Sequence, residues 1–460
     1  MSDKKPDAPT FYESRKKIHP RETSGIFQRL RAITVWVLMG LFYLSPWIQW
    51  GDHQAILFDL PERKFYIFDL VFWPQDFIFL AWLLIILAIT LFYFTSMAGR
   101  LWCGYACPQT VWTEVFLAVE RIVEGNRSRR IRLDKSEWNA NKITRRTIKH
   151  TIWILLGLWT GFTFVGFFTP IAELSGRIFA FDLGAGETFW MLFYGFATWG
   201  NAGFLREQVC LYMCPYARFQ SAMFDKDTLI ISYDEDRGEP RGKRRKTADY
   251  KADGLGDCIN CMQCVQVCPT GIDIRDGLQY ECIGCAACID VCDQVMDKLN
   301  YPRGLVKYTT QHAIDNKTSH VVRTRTIIYT ILWAGLIVAF FVALNMRKPL
   351  MADIIRDRTT LYREVSGQRI ENLYTMKIMN KSQVDNEYTV TAHGIDGIIV
   401  KLEKYPTIIP AGELLEVIAH VTIPNKNIEK RSNIITFVIT ETENSEVSID
   451  EDARFLGPKK

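Results

Sequence analysis

Twelve cysteines carry the obvious chemistry of this chain, and all of them lie between Cys103 and Cys292. Eight form two runs of one spacing: Cys258-x2-Cys261-x2-Cys264-x3-Cys268-Pro269 and Cys282-x2-Cys285-x2-Cys288-x3-Cys292. In two-cluster ferredoxins, three closely spaced thiolates of each run wrap one 4Fe-4S cubane and the fourth reaches across to the other. The spacing therefore assigns Cys258, Cys261, Cys264 and Cys292 to one 4Fe-4S cluster, and Cys282, Cys285, Cys288 and Cys268 to a second, with single electrons passing between them. Two zinc knuckles fit less well, because structural zinc sites do not use paired four-cysteine runs. Asp293 stands where a proline is expected after the last cysteine, which predicts intact ligation on a looser turn.

The other four cysteines form an internal repeat. Cys103-Gly-Tyr-Ala-Cys107-Pro108 and Cys210-Leu-Tyr-Met-Cys214-Pro215 are both C-x-Y-x-C-P. Cysteines four apart share one face of a helix, and the following proline is expected to end or redirect the backbone. If both copies meet, four thiols suit a soft ion such as Cu(I), or an iron centre; disulfide exchange and a structural role are the alternatives. Arg100, Glu114, Arg206 and Glu207 flank the pairs and are placed to tune the thiols. Met97 and Met213 read as packing, and His53, His150 and His320 as interfacial residues.

What positions these cysteines is a membrane. Hydrophobic residues make up 48% of the 460 and aromatic residues 13%, and the apolar ones gather in charge-poor runs at 33–50, 77–97, 152–170, 188–205 and 327–344. Each is long enough to cross a hydrocarbon core of about 30 Å as a helix, so the fold class is a multidomain membrane protein with five transmembrane helices. Lys4, Lys5, Arg15, Lys16, Lys17, Arg21, Arg29 and Arg31 precede the first run. Eight more, Arg121, Arg127, Arg129, Arg130, Arg132, Lys142, Arg145 and Arg146, separate the second from the third. The connections 51–76 and 171–187 are poor in both residues, so the positive-inside rule puts the N-terminus in the cytoplasm and the C-terminus outside. The first run lacks a small-residue cleavage site and is expected to remain as an anchor. These flanking basic residues account for the net charge of +4 and point to the lipid bilayer, not to nucleic acid.

The expected domains follow. Residues 1–32 are a cytoplasmic segment, and 33–205 are four transmembrane helices in two hairpins, each followed by a dithiol motif (103–108 and 210–215). Residues 206–325 are cytoplasmic, with a charged linker at 234–251 and the inserted ferredoxin domain at about 252–300. A fifth helix spans 326–346. In the reducing cytoplasm such cysteine spacing reads as metal ligation before disulfides. Residues 350–460 carry alternating stretches at 373–379, 387–392, 397–402, 414–423 and 433–441, separated by turn residues. That pattern predicts an all-β immunoglobulin-like sandwich with no disulfide, because the segment has no cysteine.

The stretches RLWCGYACPQTVW (100–112), QVCLYMCPYARFQ (208–220), RGEPRG (237–242) and CPTGIDIR (268–275) resemble the FixG/RdxA/CcoG accessory proteins of cbb3-type cytochrome c oxidase, over nearly the whole chain. The resemblance implies a protein of the bacterial inner membrane with a periplasmic immunoglobulin-like domain, acting as a cupric reductase: Cu(II) becomes Cu(I) for insertion into the oxidase. It implies copper at Cys103, Cys107, Cys210 and Cys214. Oxidase subunits or copper chaperones and transporters are the expected partners, and the sequence leaves the electron donor open between a quinol and a cytoplasmic reductant. The dithiols with paired ferredoxin runs also resemble quinol dehydrogenase subunits that pass electrons to a partner redox protein. The fifth span and the β domain favour the oxidase accessory family.

Overall fold

The computed structural model describes residues 17–51, 53–245, 250–315, 318–320, 322–382, 384–404 and 407–458. Lys4, Lys5, Arg15 and Lys16, and part of the 234–251 linker, lie outside the described residues. The chain divides into two units, residues 1–66 with 74–338 and residues 67–73 with 339–460.

In the first unit the apolar runs become helices. Before the ferredoxin segment come α1 (Ile26–Leu44), α2 (Phe77–Ala98), α3 (Leu101–Tyr105), α4 (Pro108–Glu124), α5 (Arg127–Lys135), α6 (Ala140–Val165), α7 (Ile171–Phe179), α8 (Ala185–Thr198) and α9 (Pro215–Met223). Among the described residues, four helical segments are long and apolar enough to cross a membrane: Ile26–Trp47, Pro74–Ala98, Ala140–Val165 and Thr324–Asn345. The remaining run, 188–205, is not one α-helix. Its 14-residue α8 passes into seven π-helical residues, Trp199–Leu205. α8 lies close against α6 because glycines face each other: a Cβ on Gly157 would stand 2.6 Å from the Gly195 carbonyl oxygen, and one on Gly161 would collide with the Met191 carbonyl. Small residues of this kind let helix backbones approach in membranes.

Where the helices leave the apolar zone, a buried ion network binds them. Glu120 of α4 is fully buried and meets Arg130 of α5 at 3.2 Å, Lys149 of α6 at 3.5 Å and Arg206 at 2.9 Å. Glu124, one turn on, meets Lys149 at 2.7 Å and Arg146 at 3.2 Å. Burial by itself raises the Glu120 carboxyl, but Arg206, Lys149, Lys17 and Arg130 outweigh it and hold the group at about 2.

The second unit is a β-sandwich. One sheet runs in the order Ile399–Leu402, Leu414–Pro424, Arg369–Asn380, Leu350–Arg356, with Arg363–Val365 also on Arg369–Asn380. The other runs Thr407–Ile409, Asn386–His393, Ser432–Glu441, Ser448–Leu456. Every pairing is antiparallel. Alternate residues turn inward, among them Tyr374, Met376, Ile378, Val421, Phe437 and Ile439, and Tyr374 meets Phe437 edge to face across the sheets at 5.1 Å. Four strands went unanticipated. Of these, Ser448–Leu456 carries Asp450, Glu451 and Asp452 on a sheet edge, where half of each strand faces water and charge hides the alternation.

Replacing Glu120 with glutamine leaves Arg130 and Arg206 buried without their anion, while Lys149 keeps Glu124, and is expected to cost roughly 3–5 kcal/mol in a thermal or denaturant melt. The carboxyl titrates lower when folded than when unfolded, so its contribution is complete above its ordinary range. It is lost as pH falls from about 4 toward 2, and the Glu120→Gln protein should lack that part of the acid transition.

Candidate iron-sulfur and thiol site

The two ferredoxin runs fold alike because the same backbone turns recur. Asn260 and Met262 have φ of 52° and 58°, and their counterparts Gly284 and Ala286 have 68° and 58°. Left-handed residues on both sides of the middle cysteine bend the chain around a common centre. Each run then starts a helix, Gln263–Val267 and Ala287–Leu299. Pro269 holds Cys268 extended and ends the first helix. With aspartate at 293 no such stop exists, so the second helix runs on through Cys292, and Asp293 accepts the Gly304 amide at 2.9 Å. The expected loosened turn is therefore a continued helix. The strands Ile230–Tyr233 and Val306–Thr309 pair antiparallel behind the runs.

Two adjoining cavities result. One is lined by Cys258, Cys261, Cys264 and Cys292 against apolar Val295, Met296 and Leu305. The other is lined by Cys268, Cys282, Cys285 and Cys288, with Cys264 bordering both. Burial pushes Cys264 up to about 11, Cys282 and Cys292 to about 12, and Cys288 well above the ordinary thiol range. Thiolates in these cavities need nearby positive charge, and iron ions supply it. Among the described residues, no three His, Cys, Asp or Glu side chains converge tightly enough for a single metal ion. A cubane, whose four thiolates each bind a different iron, asks for a wider ring, so the donor set fits 4Fe-4S clusters. Once bound, such a cluster stores and releases one electron at a time. Arg275, buried beside the first cavity, is fixed by Asp273 at 2.5 Å and by Asn260 at 2.7 Å, and its charge opposes the rise at Cys264.

The dithiol motifs differ from their expected form. Cys103 lies in α3, but Cys107 precedes α4, which begins at Pro108; Cys210 lies in the π-helical Val209–Met213, and Cys214 precedes α9, which begins at Pro215. Both prolines start a helix instead of ending one, since a first-turn position needs no amide hydrogen and suits the fixed φ of proline. The cysteines of each pair thus straddle a helix break. All four thiols come within electrostatic reach of one another: Cys107, Cys210 and Cys214 each act on Cys103. Burial pushes Cys103 up to about 12 and Cys210 to about 11, with Arg100 opposing both. Burial also raises Cys107, against the pull of the Gln109 and Thr110 amides at the start of α4. The motifs are tied together by Gln109, which donates to the carbonyls of Asn201 at 3.0 Å and Arg206 at 3.1 Å, while Arg206 itself pairs with Glu120.

The first dithiol loop rests directly on the second ferredoxin run. Cys103 packs against Val267, Ile283, Cys285 and Ala287. A Cβ on Gly104 would sit 2.8 Å from the Gly284 carbonyl oxygen and 2.9 Å from the Cys285 Cα. Tyr308 donates to the same Gly284 carbonyl at 2.7 Å. On the far side Asp290 accepts the amides of Phe27 at 3.2 Å and Gln28 at 2.7 Å, capping the first turn of α1. Asp290, Gly104, Tyr308 and Arg275 escaped sequence reasoning. Apart from the Asp273 partner of Arg275, their roles come from residues 15 to 263 positions away, which no local spacing encodes.

Gly104→Ala is expected to lift the dithiol loop from the Cys285 turn, seen as a severalfold rise in hydrogen exchange over residues 100–107 and 282–286. Gly40→Ala, where an added Cβ meets nothing within 4 Å, should leave those rates unchanged.

Comparison with known proteins agrees with this architecture. A 4Fe-4S dicluster domain model matches residues 205–311, a 4Fe-4S binding domain model matches 78–125, and a model for the IG-like fold at the C-terminus of FixG matches 340–458. Protein RdxB of Cereibacter sphaeroides is 42% identical over 429 residues, covering 89% of this chain and 90% of that protein. Nitrogen fixation protein FixG of Rhizobium meliloti is 39% identical, covering 85% of this chain and 82% of its own length, and protein RdxA of Cereibacter sphaeroides is 40% identical, covering 85% and 86%. A crystal structure of a FixG-related protein from Vibrio parahaemolyticus, 29% identical, covers 25% of this chain and 99% of that one, with a TM-score of 0.22. The chain, with apolar helices, paired four-cysteine runs and a β-sandwich in this order, belongs to the FixG/RdxA family of membrane iron-sulfur proteins.

Proposed function

We propose that this protein is an electron-transfer protein that reduces Cu(II) to Cu(I) in support of cbb3-type cytochrome c oxidase assembly. Cys258, Cys261, Cys264 and Cys292 hold one 4Fe-4S cluster, and Cys268, Cys282, Cys285 and Cys288 the other. Cys103, Cys107, Cys210 and Cys214 receive the copper as substrate, and each Cu(II) takes up one electron. The observation that carries this reading is the contact of Cys103 and Gly104 with Gly284 and Cys285: soft ligands for copper lie directly against the ligand loop of a redox centre. Thiolates prefer Cu(I) over Cu(II), which favours release of the ion in reduced form to a thiol or thioether acceptor.

The chain crosses the inner membrane five times in this reading. The fourth crossing is α8 with its π-helical extension, 14 and seven residues, together close to the roughly 30 Å a crossing needs. The N-terminus and the ferredoxin segment face the cytoplasm, and the β-sandwich faces the periplasm, where it docks a copper chaperone or the oxidase. A second reading, an iron centre at the four dithiol cysteines, is favoured by the 4Fe-4S binding domain model over 78–125, which contains Cys103 and Cys107.

Metal analysis and EPR on the purified protein separate the two. The copper reading expects two clusters, plus copper that binds on addition, is reduced, and is lost on Cys103→Ser or Cys210→Ser with both cluster signals kept. An unchanged rate of Cu(II) reduction in those variants would sink it, and an iron signal lost with them instead would favour the second reading.

A further inference from the structure

A cavity of about 290 Å³ is wedged among α1, α4, the dithiol loops and the second ferredoxin run. One wall holds Cys210 and Gly104, and another holds Pro269, Thr270, Ile283 and Ala287, beside the ligands Cys268, Cys282 and Cys288. An occupant would lie between the two sets of redox cysteines. The volume is near the low end for small-molecule sites, roughly 300–1,000 Å³, enough for a ring and its substituents.

The lining says what kind of molecule fits. Gln28, Arg31 and Val35 face it from α1 at intervals of three and four residues, so the cavity begins at the basic flank of that helix and runs alongside its apolar part, at the depth of a membrane interface. Val35, Leu117 and Val267 make apolar walls, while Gln28, Gln109 and Thr110 offer hydrogen bonds. The charges in the wall largely cancel. Arg121 lies 3.1 Å from Glu114, and Arg206 is held by Glu120 at 2.9 Å, so a strongly anionic ligand finds little net attraction and an uncharged one pays little to enter. A neutral, ring-sized, hydrogen-bonding molecule at the membrane interface between one-electron centres has the chemistry of a quinone head group.

We infer that this cavity binds the head group of a membrane quinol, which serves as electron donor. The inference rests on the reading that electrons leave this unit through its cysteines, and supplies the donor. Oxidation of the quinol to the quinone breaks two O–H bonds and releases two protons and two electrons. The carboxylates of Glu114 and Glu207 on the cavity wall take the protons, and the electrons go singly to the iron-sulfur chemistry of the adjoining cysteines.

The full-length protein in lipid nanodiscs tests this with a photoreactive azidoquinone and with a short-chain quinol. Labelling is expected on peptides of α1 and α4, and the quinol should bleach the iron-sulfur absorbance. Thr113→Trp and Val35→Trp, from opposite walls, should each cut labelling at least tenfold while dithionite still bleaches the absorbance fully, which shows that the clusters are in place. Labelling that is absent, lies elsewhere, or survives both substitutions overturns the inference, as does bleaching by dithionite but not by quinol. In those cases dithionite-driven Cu(II) reduction would still stand for the proposed function. Conversely, labelling and quinol bleaching without any Cu(II) reduction would uphold the quinol site and remove the copper reading.

Discussion

Glu120 is the carboxylate on which the arrangement of the cysteines depends. Cys107 immediately precedes α4, which carries Glu120 over three turns later, and Glu120 holds Arg206, four residues before Cys210. Four positive groups around one fully buried anion are costly to desolvate and far costlier to separate, so the two dithiol motifs, distant in sequence, stay together. The same network holds α5 and α6 through Arg130 and Lys149. Gln109 repeats the tie closer to the thiols.

A second constraint fixes the ferredoxin unit to the helices. Asp290, two residues before Cys292, is spent on the amides at the start of α1, where a carboxylate also meets the positive end of the helix dipole. Gly104 and Gly284 lack side chains where their backbones meet. The run through Cys285 is therefore the one in contact with the dithiol loop. Distance governs electron exchange, and these two contacts leave no room for an intervening layer of side chains at that point.

Much of this was legible in the sequence. The eight cysteines of the paired runs, the four of the repeat, the apolar helices and five of the strands follow from spacing and periodicity, because each is encoded within a few residues of itself. Other features were not. The prolines at 108 and 215 read as points where the backbone ends a helix or turns; the backbone does break there, and each proline starts the next helix. The run 188–205 reads as a plain helix and becomes π-helical after Thr198, in the segment that delivers Arg206 to Glu120. The strand Ser448–Leu456 is absent from the stretches read as strands, because its acidic face is on view and its partner is Ser432–Glu441.

By itself the sequence determined which cysteines are spaced as metal ligands and which segments are apolar, since ligand spacing and hydropathy are local properties of the chain. Tertiary structure alone decided that the two dithiol motifs lie near one another, that Cys103 and Gly104 pack at the Cys285 turn, and that a cavity opens beside Cys210. Those depend on pairs such as Glu120 with Arg206 and Asp290 with Gln28, whose members are 86 and 262 residues apart. Burial makes such pairs strong, and burial exists only once the chain has folded.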